Sequence, residues 1–563
     1  MILDRKAFMM SKENLTSVPQ VFTGGWIYTG DAPYPQWGGV AVQDGRIISL
    51  DAERIATLTT SGAENVPLDG RMLIAGFHDA HIHPVIAGVE MLGCDLSACD
   101  SAEEALRVIS EFAANNPELE WITGGGWSMS AFPGGSPTRE MLDSVVPDRP
   151  VLLENRDHHS AWANTRAFAT AGIRATTPDP VDGRFEREAD GFPAGTMHDG
   201  AIFLFDQVRP SIEHARAYAG LLAAQAHLFS LGITGWQDAA IGTIMGQPDT
   251  VPVYLEAVAQ GTLQARVRGA QWWDRTAGIS QLDRIRDRAL HIGTNVPRER
   301  FSLGTVKIMV DGVAESRTAA MHGHYRDSHG SPLESTGMVF FEPQQLSEYV
   351  TAIDAVGLQI HFHTLGDRAV SDALNALAAA RSANGPSLLR HHLAHLEVVS
   401  EADVPRFVEL GVSANVQPYW AAHDAQLDEL VIPFLPIGAE AKLYPFGSLA
   451  QAGVDLAMGS DWPVSSPDPL QAIHVAVNRR HAGSNAKALH ANEALSLTQV
   501  LNAATSGSAY LNHLDDVCGR IRPGMSTDLA ILDSNLFSLP AEELHTARVD
   551  ETWIGGERVY ARS

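Results

Sequence analysis

The chain has 563 residues, 45% hydrophobic and 19% charged, an ordinary globular composition with length for more than one domain. Asp plus Glu number 67 against 40 Lys plus Arg, a net charge of −27, which argues against a broad surface for nucleic acid or anionic membrane. No apolar run reaches the length of a membrane span.

The N-terminal MILDRKAFMMSKENL lacks the apolar centre of a signal peptide and reads as a loose polar leader of about 15 residues. VAVQDGRIISLD alternates on either side of Asp44-Gly45, a hairpin signal. Short apolar runs then alternate with helical stretches, the rhythm of a parallel sheet with crossover helices. The predicted strands are MLIAG (72–76), GITGWQD (232–238), QARVRG (264–269), TVKIMV (305–310), LQIHFH (358–363), HHLAHL (391–396), GVSANVQ (411–417) and VDLAMGSD (454–461). Eight is the number that closes a (β/α)8 barrel. A ninth candidate, VLLEN (151–155), is assigned to an insertion of about residues 90–200, rich in Gly, Pro and Trp. Its ITGGGW run (122–127) lacks the Lys-Ser/Thr partner of a phosphate loop, so nucleotide binding is rejected. At the C-terminus STDLAILD and TWIGGERVYA, turning at Gly555-Gly556, return to β structure. The predicted architecture is α/β: a distorted barrel over 72–497, with a composite β-sandwich from both chain ends, 18–71 and 498–563. Cys94, Cys99 and Cys518 match no zinc or redox spacing. A sparse, odd set suits a reducing compartment, so a cytoplasmic location is expected.

Three His-x-His pairs occur, at 81/83, 322/324 and 361/363, where chance supplies about one in such a histidine-rich chain. In extended backbone, side chains two apart face the same way, so His81 and His83 can reach one ion. His322 and His324 lie in a Gly-rich loop and are read as the chance pair. Position carries the weight. His81, His83, Lys307, His363, His395 and Asp461 fall at the carboxyl ends of predicted strands, which converge on one mouth in a barrel.

GFHDAHIHP, VKIMVDGVAESRTAA, HFHTLGDRAV, RHHLAHLE and AMGSDWPV, in this order, resemble the amidohydrolase superfamily, and within it the N-substituted formamide deformylase-like branch. The resemblance runs from about residue 20 to 560 and includes RPVLLENRDHHSAWANTRAF, GFPAGTMHDGA and GRIRPGMSTDLAILD. It implies His81 and His83 as the first-strand metal ligands, and His363 and His395 as those of strands five and six. It implies Asp461 as ligand and proton carrier, and Lys307 as a CO2-derived carbamate bridging two ions. The expected cofactor is one or two divalent ions, zinc first, with manganese or iron as alternatives. Three positions depart from the pattern: Ala394 replaces an acidic residue before His395, His158 replaces a glycine, and Asp199 replaces a glutamate.

A bound divalent ion brings water's pKa to about 7, and Asp461 would take the water's proton and pass it to the leaving nitrogen. The expected reaction is attack of metal-bound hydroxide on an amide- or formamide-type bond other than a peptide bond. Ester or lactone hydrolysis, isomerisation and decarboxylation on the same site remain alternatives, as does a non-catalytic binding scaffold. A lysine ammonium beside metal would repel it, which favours the carbamate; the alternative pairs Lys307 with Asp311 or a substrate carboxylate. His159 is the candidate contact to the substrate carbonyl, or else a capping or interdomain residue. Arg317 could hold an acidic or carbonyl group, or equally a neighbouring carboxylate. Trp127, Trp162, Tyr419, Trp420 and Trp462 suggest an apolar or aromatic group on a small-molecule substrate, or else packing of the insertion. Asp238 ends the second strand, in a supporting or structural role. A homodimer is left open.

Overall fold

The short buried runs become a ring of parallel strands because each is apolar on both faces and must be covered on both. The structure, a computed structural model, describes residues 17–243 and 248–563; the predicted polar leader lies outside them. The ring comprises β1 (Phe77–Ile82), β2 (Ile233–Ile241), β3 (Arg266–Trp272), β4 (Phe301–Met309), β5 (Gln359–Thr364), β6 (His392–His395), β7 (Ser413–Val416) and β8 (Leu456–Met458). They pair in parallel in chain order from β1 to β8. Just past β8, Asp461 N–H donates to His81 O at 2.7 Å and His83 N–H to Trp462 O at 2.9 Å, bringing the last strand back to the first. The fold is therefore a nearly closed (β/α)8 barrel.

The first barrel strand differs from the sequence expectation. MLIAG was expected to open the barrel, but Met72–Ala75 pairs antiparallel with Leu529–Leu532 and parallel with Gln20–Tyr28, in the terminal sheet. The chain changes sheets at Gly76, whose N–H donates to Asp528 O, while the next N–H, of Phe77, donates to Gly232 O. A Cβ at Gly76 would lie 2.3 Å from the Thr234 side chain, so only glycine passes this corner without a shift. The apolar run is unbroken across the corner, so its pattern carries no signal of it.

The terminal sheet runs in the order 557–561, 549–554, 529–532, 72–75, 20–28, 36–43, 46–49, with 64–67 beside 20–28. It folds over on itself as a sandwich: Ile47 N–H donates to Met525 O and Thr527 N–H to Gly45 O, enclosing Phe22, Val42, Leu73, Ile531 and Trp553. Both predicted turns, Asp44-Gly45 and Gly555-Gly556, have positive φ throughout, the conformation of tight hairpins. The segment 498–511, expected within the sandwich, belongs instead to the helical run 497–511. It packs beneath the barrel, with Ser508 Oγ accepting from Met458 N–H at 3.1 Å.

A buried ion pair joins the two parts. Arg266 at the start of β3 donates to both carboxylate oxygens of Asp528 and to Ser526 Oγ at 2.6 Å. Breaking a buried pair strands one charge, so Asp528→Ala is expected to cost about 3–5 kcal/mol, read as a lowered urea midpoint. A midpoint unchanged from the parent protein would contradict this role.

The insertion forms a third sheet, ordered 183–187, 193–199, 160–163, 151–155, 122–127, 94–95. VLLEN is its strand Val151–Asn155 and ITGGGW its strand Ile122–Trp127. The glycines there allow close approach: a Cβ at Gly124 would meet Cys94 O at 2.2 Å. All three cysteines are buried and unpaired. Among the described residues, no helix is long and apolar enough to cross a membrane.

Candidate metal centre and substrate cavity

Strand register brings the candidate ligands together. Lys307 on β4 lies opposite His361 on β5, and Met309 opposite His363. His395, at the end of β6, lies opposite Thr364. At the carboxyl ends the backbone twists out of the extended region: His395 has φ +78° and Asp461 φ +57°. Such residues cost about 1–3 kcal/mol each and persist where a site holds them.

The side chains converge. Asp461 Oδ1 lies 3.2 Å from His81 Nε2 and 3.1 Å from His83 Nε2, and its Oδ2 lies 3.8 Å from His395 Nδ1. Among the described residues, His81, His395 and Asp461 form a buried group whose ligand atoms lie within 4.8 Å of one another. Both ring nitrogens of His395, and Asp461 Oδ1, are buried without a hydrogen-bond partner. Unsatisfied buried polar atoms are costly, and their convergence fits a divalent cation. Burial, with the Lys307 charge next, holds His81 down at about 3. Burial likewise holds His363 and His395 well below the usual imidazole range. All three are neutral, the form that ligates metal. Burial alone would raise Asp461, but the neighbouring His81 and His83 keep it well below the usual carboxylate range and ionised.

Behind the ligands stand partners that orient them. His81 Nδ1 and His361 Nε2 are 2.9 Å apart, and His361 Nδ1 is hydrogen-bonded to Gln237 Oε1. With His81 Nδ1–H donating to His361, and His361 donating to Gln237, His81 Nε2 is left as the acceptor facing Asp461. Asp311 Oδ1 lies 3.5 Å from His363 Nδ1, and this carboxylate accepts from the N–H groups of Ala320, Leu365 and Gly366 at 2.9–3.1 Å. Asp311 is thus engaged away from Lys307, against the alternative pairing read from the sequence. Lys307 is 3% exposed, with Nζ 3.4 Å from His81 Nε2. Burial pulls its amine down to about 7.

The centre opens into a cavity of about 220 Å³ lined by His81, His83, Lys307, His363 and Asp461, with Ile86, Val89, Leu152, Ile212 and Met309 making an apolar wall. The insertion also lines it, with Leu152, Glu154, His158 and His159. His159 is fixed by a 2.7 Å hydrogen bond between its Nδ1 and Asp199 Oδ1, which directs Nε2 away from that carboxylate. Although burial opposes it, Asp199 raises the His159 pKa. His158, at φ +61°, is hydrogen-bonded to Glu154 Oε2 at 2.8 Å, and Arg209 donates to Glu154 Oε1 at 2.7 Å. Glu90, Glu154 and His158 form a second group of ligand-type atoms, but both oxygens of Glu154 are taken by these cationic partners.

Several expected substrate residues lie elsewhere. Trp127 is fully buried in the insertion core, donating from Nε1 to Leu153 O at 2.9 Å. Trp162 packs beside it and donates to Thr138 O. Arg317 stacks over Phe434 at 5.2 Å, and Trp462 packs on His227 at 5.4 Å; neither lines the cavities at the metal centre. The pattern places an aromatic residue near the mouth but does not say which way its ring points. Trp420 does reach the site, stacked on His395 at 5.4 Å, and Tyr419 lines the same wall. Asp238 accepts from the Tyr254 hydroxyl at 2.7 Å, a supporting role. His322 and His324 are exposed. His361 as a partner of His81, and Glu315 and Glu397 beside the centre, are residues that the strand-end pattern does not single out. Glu397 was within sight, two residues after His395 in RHHLAHLE.

The description "Amidohydrolase family" matches residues 64–560. The chain is 30% identical to Protein LONG AFTER FAR-RED 3 of Arabidopsis thaliana, over 96% of this chain and 91% of that protein. It is 25% identical to the N-substituted formamide deformylase of Arthrobacter pascens, over 93% and 95%. A crystal structure described as an uncharacterized metal-dependent hydrolase from Pyrococcus horikoshii OT3 superimposes with TM-score 0.72 at 23% identity, over 93% of this chain and 99% of that one.

Proposed function

The chain belongs to the amidohydrolase family, and on that premise we propose that it hydrolyses a linear carbon–nitrogen bond other than a peptide bond, in an N-substituted amide or formamide. The observation that carries this reading is the convergence of His81, His395 and Asp461, with both His395 ring nitrogens and Asp461 Oδ1 unsatisfied, beside the cavities that these residues line.

His81, His83, His363, His395 and Asp461 would hold the divalent metal, zinc first by donor type. Lys307, as a carbamate, would bridge to a second ion. In forming it, the neutral Nζ adds to the carbon of CO2 and gives up one proton. When bound, the metal activates water and polarises the scissile carbonyl. Asp461, ionised and within reach of the same space, accepts the water's proton and returns it to the departing nitrogen. His159, as the imidazolium that Asp199 favours by accepting from Nδ1–H, donates from Nε2 to the carbonyl oxygen as negative charge develops there. The apolar wall takes the hydrocarbon part of the substrate.

Turnover of a panel of N-acyl amines, esters and lactones by the metal-loaded protein tests the reading. Ester turnover without any amide turnover would overturn it. His159→Ala is expected to lower kcat/KM on the amide by about 10²–10³-fold, and Asp199→Asn to act in the same direction, with the circular dichroism spectrum retained. Activity near that of the parent in both variants would remove His159 from the carbonyl.

A further inference from the structure

The cavity has two lobes that meet over the proposed metal centre, with Asp157, His159, His363 and Asp461 bordering both. The larger lobe has the apolar wall already described. The smaller, about 100 Å³, has different chemistry: Glu315, Glu397 and Asp424 stand with Tyr419, Trp420 and Tyr444. Among its lining residues Arg156 is the single guanidinium, and it donates to Ser97 O at 3.0 Å; no lysine lines the lobe.

Glu397 is 2% exposed, its Oε1 is buried with no hydrogen-bond partner, and burial, with Glu315 next, holds its carboxyl well above the usual range, a cost that a neighbouring cation would offset. Glu315 accepts from Gln426 Nε2 at 2.8 Å, and burial, with Asp157 nearby, pushes its carboxyl up. At the mouth Asp424 is 46% exposed. A buried acceptor without a donor is costly to keep. Carboxylates combined with aromatic faces match an organic cation, through charge-assisted hydrogen bonds and cation–π attraction.

We propose that this lobe receives a positively charged, N–H-bearing part of the substrate, an aliphatic ammonium, with Glu397 and Glu315 as its acceptors and the Tyr444 and Trp420 rings as its walls. The substrate would then be an acylated amine carrying a second, free amino group, a statement that rests on the carbon–nitrogen hydrolase reading. The ammonium site itself does not rest on it.

The test compares an N-acylated diamine with an N-acylated alkylamine of equal length, on the metal-loaded enzyme. The kcat/KM ratio is expected to favour the diamine by about tenfold or more, through charge-assisted hydrogen bonds that the alkylamine cannot make. The ratio is expected to fall toward one in Glu397→Gln and in Glu315→Gln, the second variant serving if the first does not fold. A ratio of one in the parent enzyme, or an unchanged ratio in the variants, overturns the proposal. If no amide is turned over, calorimetric titration with a free aliphatic diamine and the diol of the same length reads the lobe directly. Tighter binding of the diamine, weakened in the Gln variants, keeps the ammonium site while the hydrolase reading falls. Equal binding of the two overturns the ammonium site as well.

Discussion

Asp461→Asn is expected to lower kcat by about 10²–10⁴-fold, the range for loss of a positioned acid–base group, with metal content reduced in the same preparation. The carboxylate is shared between His81 and His83 at 3.2 and 3.1 Å and faces His395 at 3.8 Å. It stands where both a ligand and a proton acceptor are needed, and asparagine keeps the shape while losing the charge and the basicity. Steady-state kinetics with elemental analysis separate the two roles. A protein with full metal content and low kcat assigns the loss to proton transfer. A protein lacking metal assigns it to ligation. Parent-like kcat would remove Asp461 from both.

Lys307→Ala is expected to abolish turnover and to reduce the bound metal from two ions to one. The buried Lys307 amine lies 3.4 Å from His81 Nε2 and forms no ion pair with Asp311, which is engaged by backbone N–H groups and lies by His363. Burial has pulled the amine down to about 7, so near neutral pH a large share of it is unprotonated, the form that adds CO2. The sign follows: as pH falls through about 7 the amine takes up a proton, the carbamate is lost, and activity after metal reconstitution falls with it. A short-chain carboxylic acid that enters the space left by the side chain should restore part of the activity. Carbon-13 labelling with CO2 should give a carbamate resonance in the parent protein, absent from Lys307→Ala. An unlabelled parent with two bound ions would remove the bridging carbamate.

How far the site could be read from residues depended on whether a residue's place follows from strand direction alone. A side chain at the carboxyl end of a parallel strand must face the barrel mouth, so His81, Lys307, His363, His395 and Asp461 could be placed together without coordinates. Trp127 and Arg317 could not. Each sits in a loop or inserted strand, where burial depends on which neighbour covers it, and the structure buries Trp127 against Leu153 and Trp162 and stacks Arg317 on Phe434. Glu315 and Glu397 lie within the quoted motifs VKIMVDGVAESRTAA and RHHLAHLE, but nothing local shows that they share a lobe, because it is made by segments distant in sequence: 313–315, 397, 419–431 and 444.

By itself, then, the order of apolar runs and strand-end ligands determined the barrel, the family resemblance and the polar residues at its mouth. The barrel and its strand ends follow from the alternation of apolar runs with helical stretches, a local property of the chain, while the resemblance rests on the motifs themselves. The tertiary structure alone decided where the first strand begins, since the corner at Gly76 interrupts no apolar pattern. It alone decided that the insertion is a third sheet delivering His159 to the cavity, and that the cavity divides into an apolar and an acidic lobe. Those features arise from contacts between segments tens to hundreds of residues apart, and no local periodicity encodes them.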